Sequence, residues 1–403
     1  MRTSVPAIPI DFVLFALTLV GVALLHHRTL EVAVIGLAAI ILYKLLFNQF
    51  AEGPGFAGLV SHLLHEWVTL VNLAALLLGF ALLAVHFEES RIPNVLPRFL
   101  PLDWKGPLIL LFMVFALSSF LDNIAAALIG GTMAHALFRS VHIGYIAAIV
   151  AASNAGGSGS VVGDTTTTMM WIDRVPPDQV FHAYVAAGTA LVFFSIPAAI
   201  QQQRHAPMSR INLDNVTVDW ARVGIVIFIL AAAVAVNVTV NVNFPEYSDA
   251  FPFLGLAVWV AILLAARLRA PDWHAFRAAL KGTAFLLSLV LAASLMPVEK
   301  LPPASWQTTF GLGFVSAVFD NIPLTALALA QGDYDWGMLA YAVGFGGSMI
   351  WFGSSAGVAI SNVFPKARSV GSWLKHGWHV ALAYVVGFFV LLAVLGWNPQ
   401  PKG

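Results

Sequence analysis

Ser118-Ser-Phe-Leu-Asp-Asn-Ile124 and Ser316-Ala-Val-Phe-Asp-Asn-Ile322 share the tripeptide Asp-Asn-Ile, and a second shared pattern follows each of them. Gly156-Gly157-Ser158 is followed after four residues by Gly163 and then Asp164-Thr165, while Gly346-Gly347-Ser348 is followed after four by Gly353 and then Ser354-Ser355. The first pair of motifs lies 198 residues apart and the second 190, about half of the 403-residue chain. A tripeptide alone is weak evidence. Two motifs in the same order, each inside a long apolar stretch, mark an internal repeat.

The rest of the composition says where that repeat sits. The chain is 59% hydrophobic and only 10% charged, against about 25% charged in soluble domains, so it cannot wet a globular surface and belongs in a bilayer. Its 20 basic and 20 acidic residues cancel, which leaves no bulk field to recruit nucleic acid. Cysteine is absent, which removes disulfides, thiolate catalysis, cysteine-ligated zinc and iron–sulfur clusters.

Apolar runs of membrane-spanning length fall at 6–25, 30–47, 66–86, 180–200, 220–241, 252–268, 280–296 and 376–396. The first is kept as a span, because it has only Arg2 before it and no convincing small-residue cleavage site for a signal peptide. Two further apolar regions are interrupted by Asp-Asn and by Gly and Ser clusters. Each reads as a re-entrant hairpin (106–138 and 307–331) followed by a broken span (141–172 and 336–363), since irregular backbone at membrane depth must be covered by protein or water. The predicted fold is an all-α polytopic membrane protein of two inverted-topology repeats, 1–205 and 206–403, with ten crossings plus two hairpins. Basic residues agree with this layout. Arg28, Arg91, Arg98, Lys105, Arg139, Arg204, Arg210, Arg222, Arg267, Arg269, Arg277, Lys281, Lys366, Arg368 and Lys375 fall on one side, and Arg2, Lys44, Arg174, Lys300 and Lys402 on the other. That asymmetry makes the richer face cytoplasmic and puts both termini outside.

Broken helices at matching places of inverted repeats point to a transporter site near the bilayer midplane. Asp122, Asp164 and Asp320 lie in the interrupted regions, with no Lys or Arg beside them to neutralise their charge. A carboxylate at the bilayer centre costs about 2.5–3.5 kcal/mol on insertion scales and is a functional candidate by default. Asp-Asn at a hairpin tip offers carboxylate and amide oxygens, and Ser158 and its neighbours add hydroxyls, a ligand set suited to hard cations. A carboxylate that holds either a proton or a metal ion makes the two compete, which is sufficient for antiport. Helix capping is the plainer reading of each Asp, and close helix packing that of the glycines, here read as permitting unwinding.

At these residues the chain resembles the NhaD-type sodium/proton antiporters of the ion transporter superfamily. The run Asn154-Ala-Gly-Gly-Ser-Gly-Ser-Val-Val-Gly-Asp164-Thr-Thr-Thr-Thr-Met-Met-Trp171 is similar to that family's signature, and Phe120 to Thr132 to its first hairpin. Phe319-Asp320-Asn321 and Gly346 to Gly357 resemble the second half's counterparts. The resemblance implies exchange of sodium or lithium for protons, no cofactor, and a homodimer whose hairpins and broken helices move as a unit in a bacterial inner membrane. It also implies functional roles for Asp122, Asn123, Asn154, Asp164, Thr165, Thr166, Ser316, Asn321 and Ser348, and for Ser354 or Ser355. Asp122 and Asp164 are expected to bind the metal ion. A sodium- or proton-coupled transporter of carboxylates or an oxyanion shares the fold and is the alternative. A channel and an intramembrane enzyme fit less well, since opposed hairpins suit alternating closure and no hydrolytic residue grouping stands out.

Outside the repeat, Glu66 with His62 and His65 reads as an amphipathic, interfacial start to the third span. His135, His142, His182, His376 and His379 show no metal-ligand spacing. The 12 tryptophans fall mostly at span ends, as interfacial anchors do.

Overall fold

The computed structural model describes residues 9–25, 28–209, 216–247 and 250–401. Arg2, Arg210 and Lys402 of the charge comparison, and the start of the 6–25 run, lie outside the described residues. Among the described residues there is no β-strand, only two isolated bridges. The chain is helical throughout: α1 Ile10–Leu24, α2 Thr29–Phe47, α3 Gly55–Glu89, α4 Lys105–Ser118, α5 Asn123–Leu137, α6 Ile143–Ser158, α7 Thr165–Ile172, α8 Ala183–His205, α9 Trp220–Asn243, α10 Phe253–Ala265, α11 Trp273–Ser294, α12 Trp306–Ser316, α13 Asn321–Gln331, α14 Trp336–Gly346, α15 Ser355–Val363, α16 Val370–His376 and α17 Trp378–Leu395. Six stretches, containing α2, α3, α8, α9, α11 and α17, are long and apolar enough to cross a membrane, and α1, α4, α5 and α10 are shorter apolar helices. The chain is a multi-pass membrane protein.

The helices pack in two groups. In one, α11 lies against α2 and α3, α10 against α3 and α9, and α1 against α2. The other gathers α4 to α8 with α12 to α17 around α6 and α14, and every residue from Gly144 to Ser158 and from Trp336 to Gly346 is buried. Pairings in this second group are reciprocal: α4 packs on α6 as α12 does on α14, and α5 meets α15 as α13 meets α7. Contacts of α3 with α7 and of α11 with α13 join the two groups.

Polar networks tie the ends of the first group. At one end the buried Asp11 carboxylate accepts from Asn48 Nδ2 at 3.1 Å and lies 3.8 Å from the buried Lys44 ammonium, a pairing that a charge removed from water requires. Nearby His62 contacts Glu52 at 2.9 Å and Ser294 Oγ at 2.9 Å. At the other end Arg222 pairs with Glu89 at 2.6 Å and Arg269 with Asp219 at 2.9 Å. The Arg269 hydrogen bond holds the Asp219 carboxyl below its ordinary value.

The repeat glycines have a more specific task than permitting unwinding. The backbone does leave the helix after Ser158 and after Gly346, yet none of Gly156, Gly157, Gly163, Gly346, Gly347 and Gly353 has a positive φ. What they need is proximity. A Cβ at Gly156 would strike the Phe115 carbonyl, and one at Gly346 the Gly313 carbonyl, so α6 touches α4, and α14 touches α12, backbone to backbone. Overpacking of this kind costs about 1–3 kcal/mol. Gly156→Ala and Gly346→Ala should each lower the thermal midpoint of the detergent-purified protein. Gly188→Ala, whose Cβ meets nothing within 4 Å, should leave it unchanged or slightly raised, as Ala favours a helix interior over Gly. A Gly156→Ala midpoint equal to wild type would show that the close approach does not matter.

Candidate functional site

Four helices begin at one place, and each begins on a side chain that accepts its first free amides. Asp122 receives the Ile124 N–H at 3.0 Å at the start of α5, and Asp164 the Thr166 N–H at 3.0 Å at the start of α7. Asp320 receives the Ile322 N–H at 3.1 Å on α13, and Ser354 the Gly357 N–H at 3.2 Å on α15. Capping therefore accounts for one oxygen of each carboxylate, and the positive ends of the helices favour negative charge there. The capping and ligand readings of these aspartates are compatible, because the second oxygen of each is left to decide its role.

The second oxygens differ. Asp164 Oδ2 accepts from Asn123 Nδ2 at 3.0 Å, and the same amide nitrogen reaches Asn154 Oδ1 at 3.1 Å. Asp320 Oδ2 is occupied by the Ser355 hydroxyl at 3.0 Å. The Asp122 carboxylate is held by the backbone amides of Ile124 and Ala125, with no side-chain donor. Asn154, midway between the two repeats' motifs, donates to Ser348 Oγ at 2.9 Å and Ser354 Oγ at 3.0 Å. It thereby links the two halves of the chain.

A cavity of about 530 Å³ ends at these groups. Asp122, Asn123, Asp164, Thr165, Asn321 and Ser355 line it, with Thr168 and Glu88, and its walls are apolar residues of α3, α5 and α11. No basic residue is among the lining. Of the other predicted residues, Asn154, Ser348 and Ser354 are connected to the lining by the hydrogen bonds above. Asp320 is placed outside the lining. Thr166 is buried next to Asp164, and Ser158 Oγ is turned back to the Ala155 carbonyl. Ser316 Oγ donates to the Val343 carbonyl at 2.6 Å. That bond has a counterpart in the first half, Ser118 to the Ser153 carbonyl at 2.6 Å. Ser118 stands 198 residues before Ser316, so the repeat itself carried the signal for it. Glu88 carries no motif, and only the fold brings it to the cavity.

The halves are not equivalent chemically. By the 190-residue spacing, Asn154 and Asp164 correspond to Gly344 and Ser354. Asn123 finds both its acceptors in the first half. Asn321, 3% exposed, has an Nδ2 with no hydrogen-bond partner, because Gly344 offers no side chain and Ser354 is bonded to Asn154. Thr166 Oγ1 is likewise buried without a partner, and buried polar groups left unsatisfied at one site call for a partner that is not protein.

Among the described residues no three His, Asp or Glu side chains converge as a tightly held metal would require. The oxygens here come from two carboxylates and neighbouring amides and hydroxyls, a set that can take a weakly held hard cation. The cavity shares Val85, Glu88 and Asn94 with a larger recess that also holds Glu89, Arg91, Asp219, Arg222 and Arg269. The site therefore communicates with the end of the molecule where the Arg222 and Arg269 pairs lie.

No family model matches the chain. Three relatives are similar to it at low identity. Sodium/proton antiporter 1 of Arabidopsis thaliana is 25% identical over 325 residues, 70% of this chain and 54% of that protein, so the match spans about half of the relative's length. Sodium/proton antiporter 2 of the same organism is 24% identical, with 72% of this chain and 78% of the relative covered. The Na(+)/H(+) antiporter NhaD of Halomonas elongata is 25% identical, with 61% of this chain and 58% of the relative covered. All three are named as antiporters, which are transporters and not enzymes. By its motifs and by these matches, the chain is a distant relative of the NhaD-type sodium/proton antiporters.

Proposed function

We propose that the chain exchanges sodium, or lithium, for protons by alternating access, with Asp122 and Asp164 as the carboxylates that hold either the metal ion or a proton. One observation carries the reading: a cavity in a membrane protein ends on the buried Asp164 and the half-buried Asp122, with no Lys, Arg or His in its lining. Four helix N-termini at one point would suit an anion. Three of them already carry an aspartate, which argues for a cation and against the carboxylate or oxyanion transporter. Asp122 has no side-chain hydrogen-bond donor that a cation would have to displace. Asn321 supports the same reading, since rotating its unpartnered amide presents a carbonyl oxygen in place of the NH₂. Asn123 positions Asp164 and Asn154, and Asn154 carries the coupling to Ser348 and Ser354 across the two halves.

In this scheme Asp320 is a latch and not a carrier, because both of its oxygens are engaged. The reciprocal packing of α5 with α15 and α13 with α7 supports two inverted repeats of five crossings, 1–205 and 206–403, each with a hairpin and a broken helix. The grouping of α1 to α3 with α9 to α11 supports a scaffold against which the other helices move. The resemblance further suggests that two copies associate through that scaffold in a bacterial inner membrane. The cavity's continuity with the Arg91, Arg222 and Arg269 recess supports a state open to the basic, cytoplasmic face, with both termini outside.

Adding sodium to everted vesicles should dissipate a preformed proton gradient. Asp164→Asn should show no measurable exchange, whereas Asp320→Asn, whose amide oxygen still accepts the Ile322 N–H and whose NH₂ can donate to the Ser355 hydroxyl once that hydroxyl rotates, should retain most of it. Full activity in Asp164→Asn would sink the assignment. Access can be read separately, because the chain has no cysteine. A membrane-impermeant maleimide should label Thr132→Cys in the cavity wall from the cytoplasmic face, and labelling from the opposite face alone would reverse the orientation.

A further inference from the structure

Histidines that the sequence scatters meet where three segments end. His142 is the N-cap of α6: its Nδ1 accepts the Gly144 N–H at 3.2 Å, and its own N–H donates to Gln202 Oε1 at 2.8 Å. The His205 ring, at the end of α8, has its centroid 5.2 Å from that of His142, and the His376 ring, at the end of α16, lies at 5.0 Å. His205 Nε2 is 3.2 Å from Ser140 Oγ. The fit is close, for a Cβ at Gly144 would strike the His376 carbonyl and the Gln201 side chain. His142 and His376 are half-buried and His205 is exposed, so bulk protons reach the cluster. His379, three residues beyond His376, is fully buried with neither ring nitrogen hydrogen-bonded. The rings do not converge as ligands of a metal would.

Apart from Asp103, the charges flanking the cluster are positive. Arg139, Arg204 and Lys375 flank the three segments, and the Pro365–Arg368 turn that touches α6 brings Lys366 and Arg368. None of the stretches 137–147, 198–209 and 370–381 contains an acidic residue. Asp103, on the 101–105 turn held to α8 by Gln203, accepts from the Lys105 backbone at 3.0 Å.

Nδ1 accepts the Gly144 amide only while it carries no proton. Protonation would turn the acceptor into a donor, strand that amide, and place a positive charge at the positive end of the α6 dipole. A cap made only by the neutral ring adds stability that is present above the unfolded histidine pKa, about 6.5, and lost as the pH falls.

We propose that His142, with His205 and His376, is an acid-sensing switch on α6, the helix that carries Asn154 to the site. In neutral to alkaline conditions the cap is made and α6 is seated. On acidification the cap is lost, positive charge accumulates beside Arg139, Arg204 and Lys375, and exchange declines. The inference concerns regulation of the site and rests on the antiport reading for its functional part.

The test compares wild type with His142→Asn, which keeps a capping acceptor that does not titrate, and with His205→Gln on the exposed side of the cluster. The thermal midpoint of the detergent-purified protein, followed from pH 8.5 to 5.5, needs no transport. It should fall further for wild type than for His142→Asn. In vesicles, the acid limb of exchange should move to lower pH in His142→Asn. It should move to higher pH in His205→Gln, where His142 has lost a like-charged neighbour and protonates more readily. Parallel midpoint curves for wild type and His142→Asn would overturn the switch. Divergent curves in chains that show no exchange at all would uphold the titrating cap and refute the antiport reading instead.

Discussion

The structure depends on keeping carboxylates inside a bilayer protein without a basic partner. Asp122, Asp164 and Asp320 are each held by the first amides of a helix, which supply donors and a favourable dipole without adding a charged side chain. Helices must therefore begin in the middle of the molecule. The interruptions between α4 and α5, α6 and α7, α12 and α13, and α14 and α15 follow from that need, since helix starts at membrane depth can exist only where other helices cover the irregular backbone. Close backbone contacts at Gly156 and Gly346 provide the cover, and a side chain at either position would push α6 from α4 or α14 from α12.

A repeat with one asymmetry is what converts this architecture into a site. Two equivalent halves would place equal caps on both sides of the centre. Instead Asp164 faces Ser354, and Asn154 corresponds to Gly344. Carboxylates are concentrated at the first half's end of the cavity, with an unpartnered amide on Asn321 beside them. A cation bound there would touch side chains from both halves, so its presence or absence can bias how the halves sit against one another. Such differential contact is the physical requirement for coupling an ion to a conformational change.

The same principle of capping by a titratable group recurs at the far end of α6, with a different consequence. Asp164 starts α7 deep in the protein, whereas His142 starts α6 near bulk water. In the proposed exchange one cap answers to the ion and the other to the pH of the surrounding solution, and the two stand at the starts of the consecutive helices α6 and α7.

Much of this was legible in the residues. Hydropathy alone called for a polytopic membrane protein, because 59% hydrophobic residues leave too few charges to solvate a globule. The positions of the broken helices were readable from Asp, Asn, Gly and Ser, and the capping role of each Asp from its place before a helical run, because these are local properties of the backbone. Which oxygens share a cavity was not. Asn154 and Ser348 stand 194 residues apart, and nothing in their neighbourhoods states that they touch. Packing also separated Asp320 from Asp122, two residues with the same local sequence, by giving only Asp320 a Ser355 hydroxyl. It gathered His142, His205 and His376 from segments that show no metal-ligand spacing. Chain order and hydrophobic pattern specify where each helix starts and stops. The side chains that face one another across helices are decided by tertiary packing, since a contact between distant segments depends on every helix that lies between them.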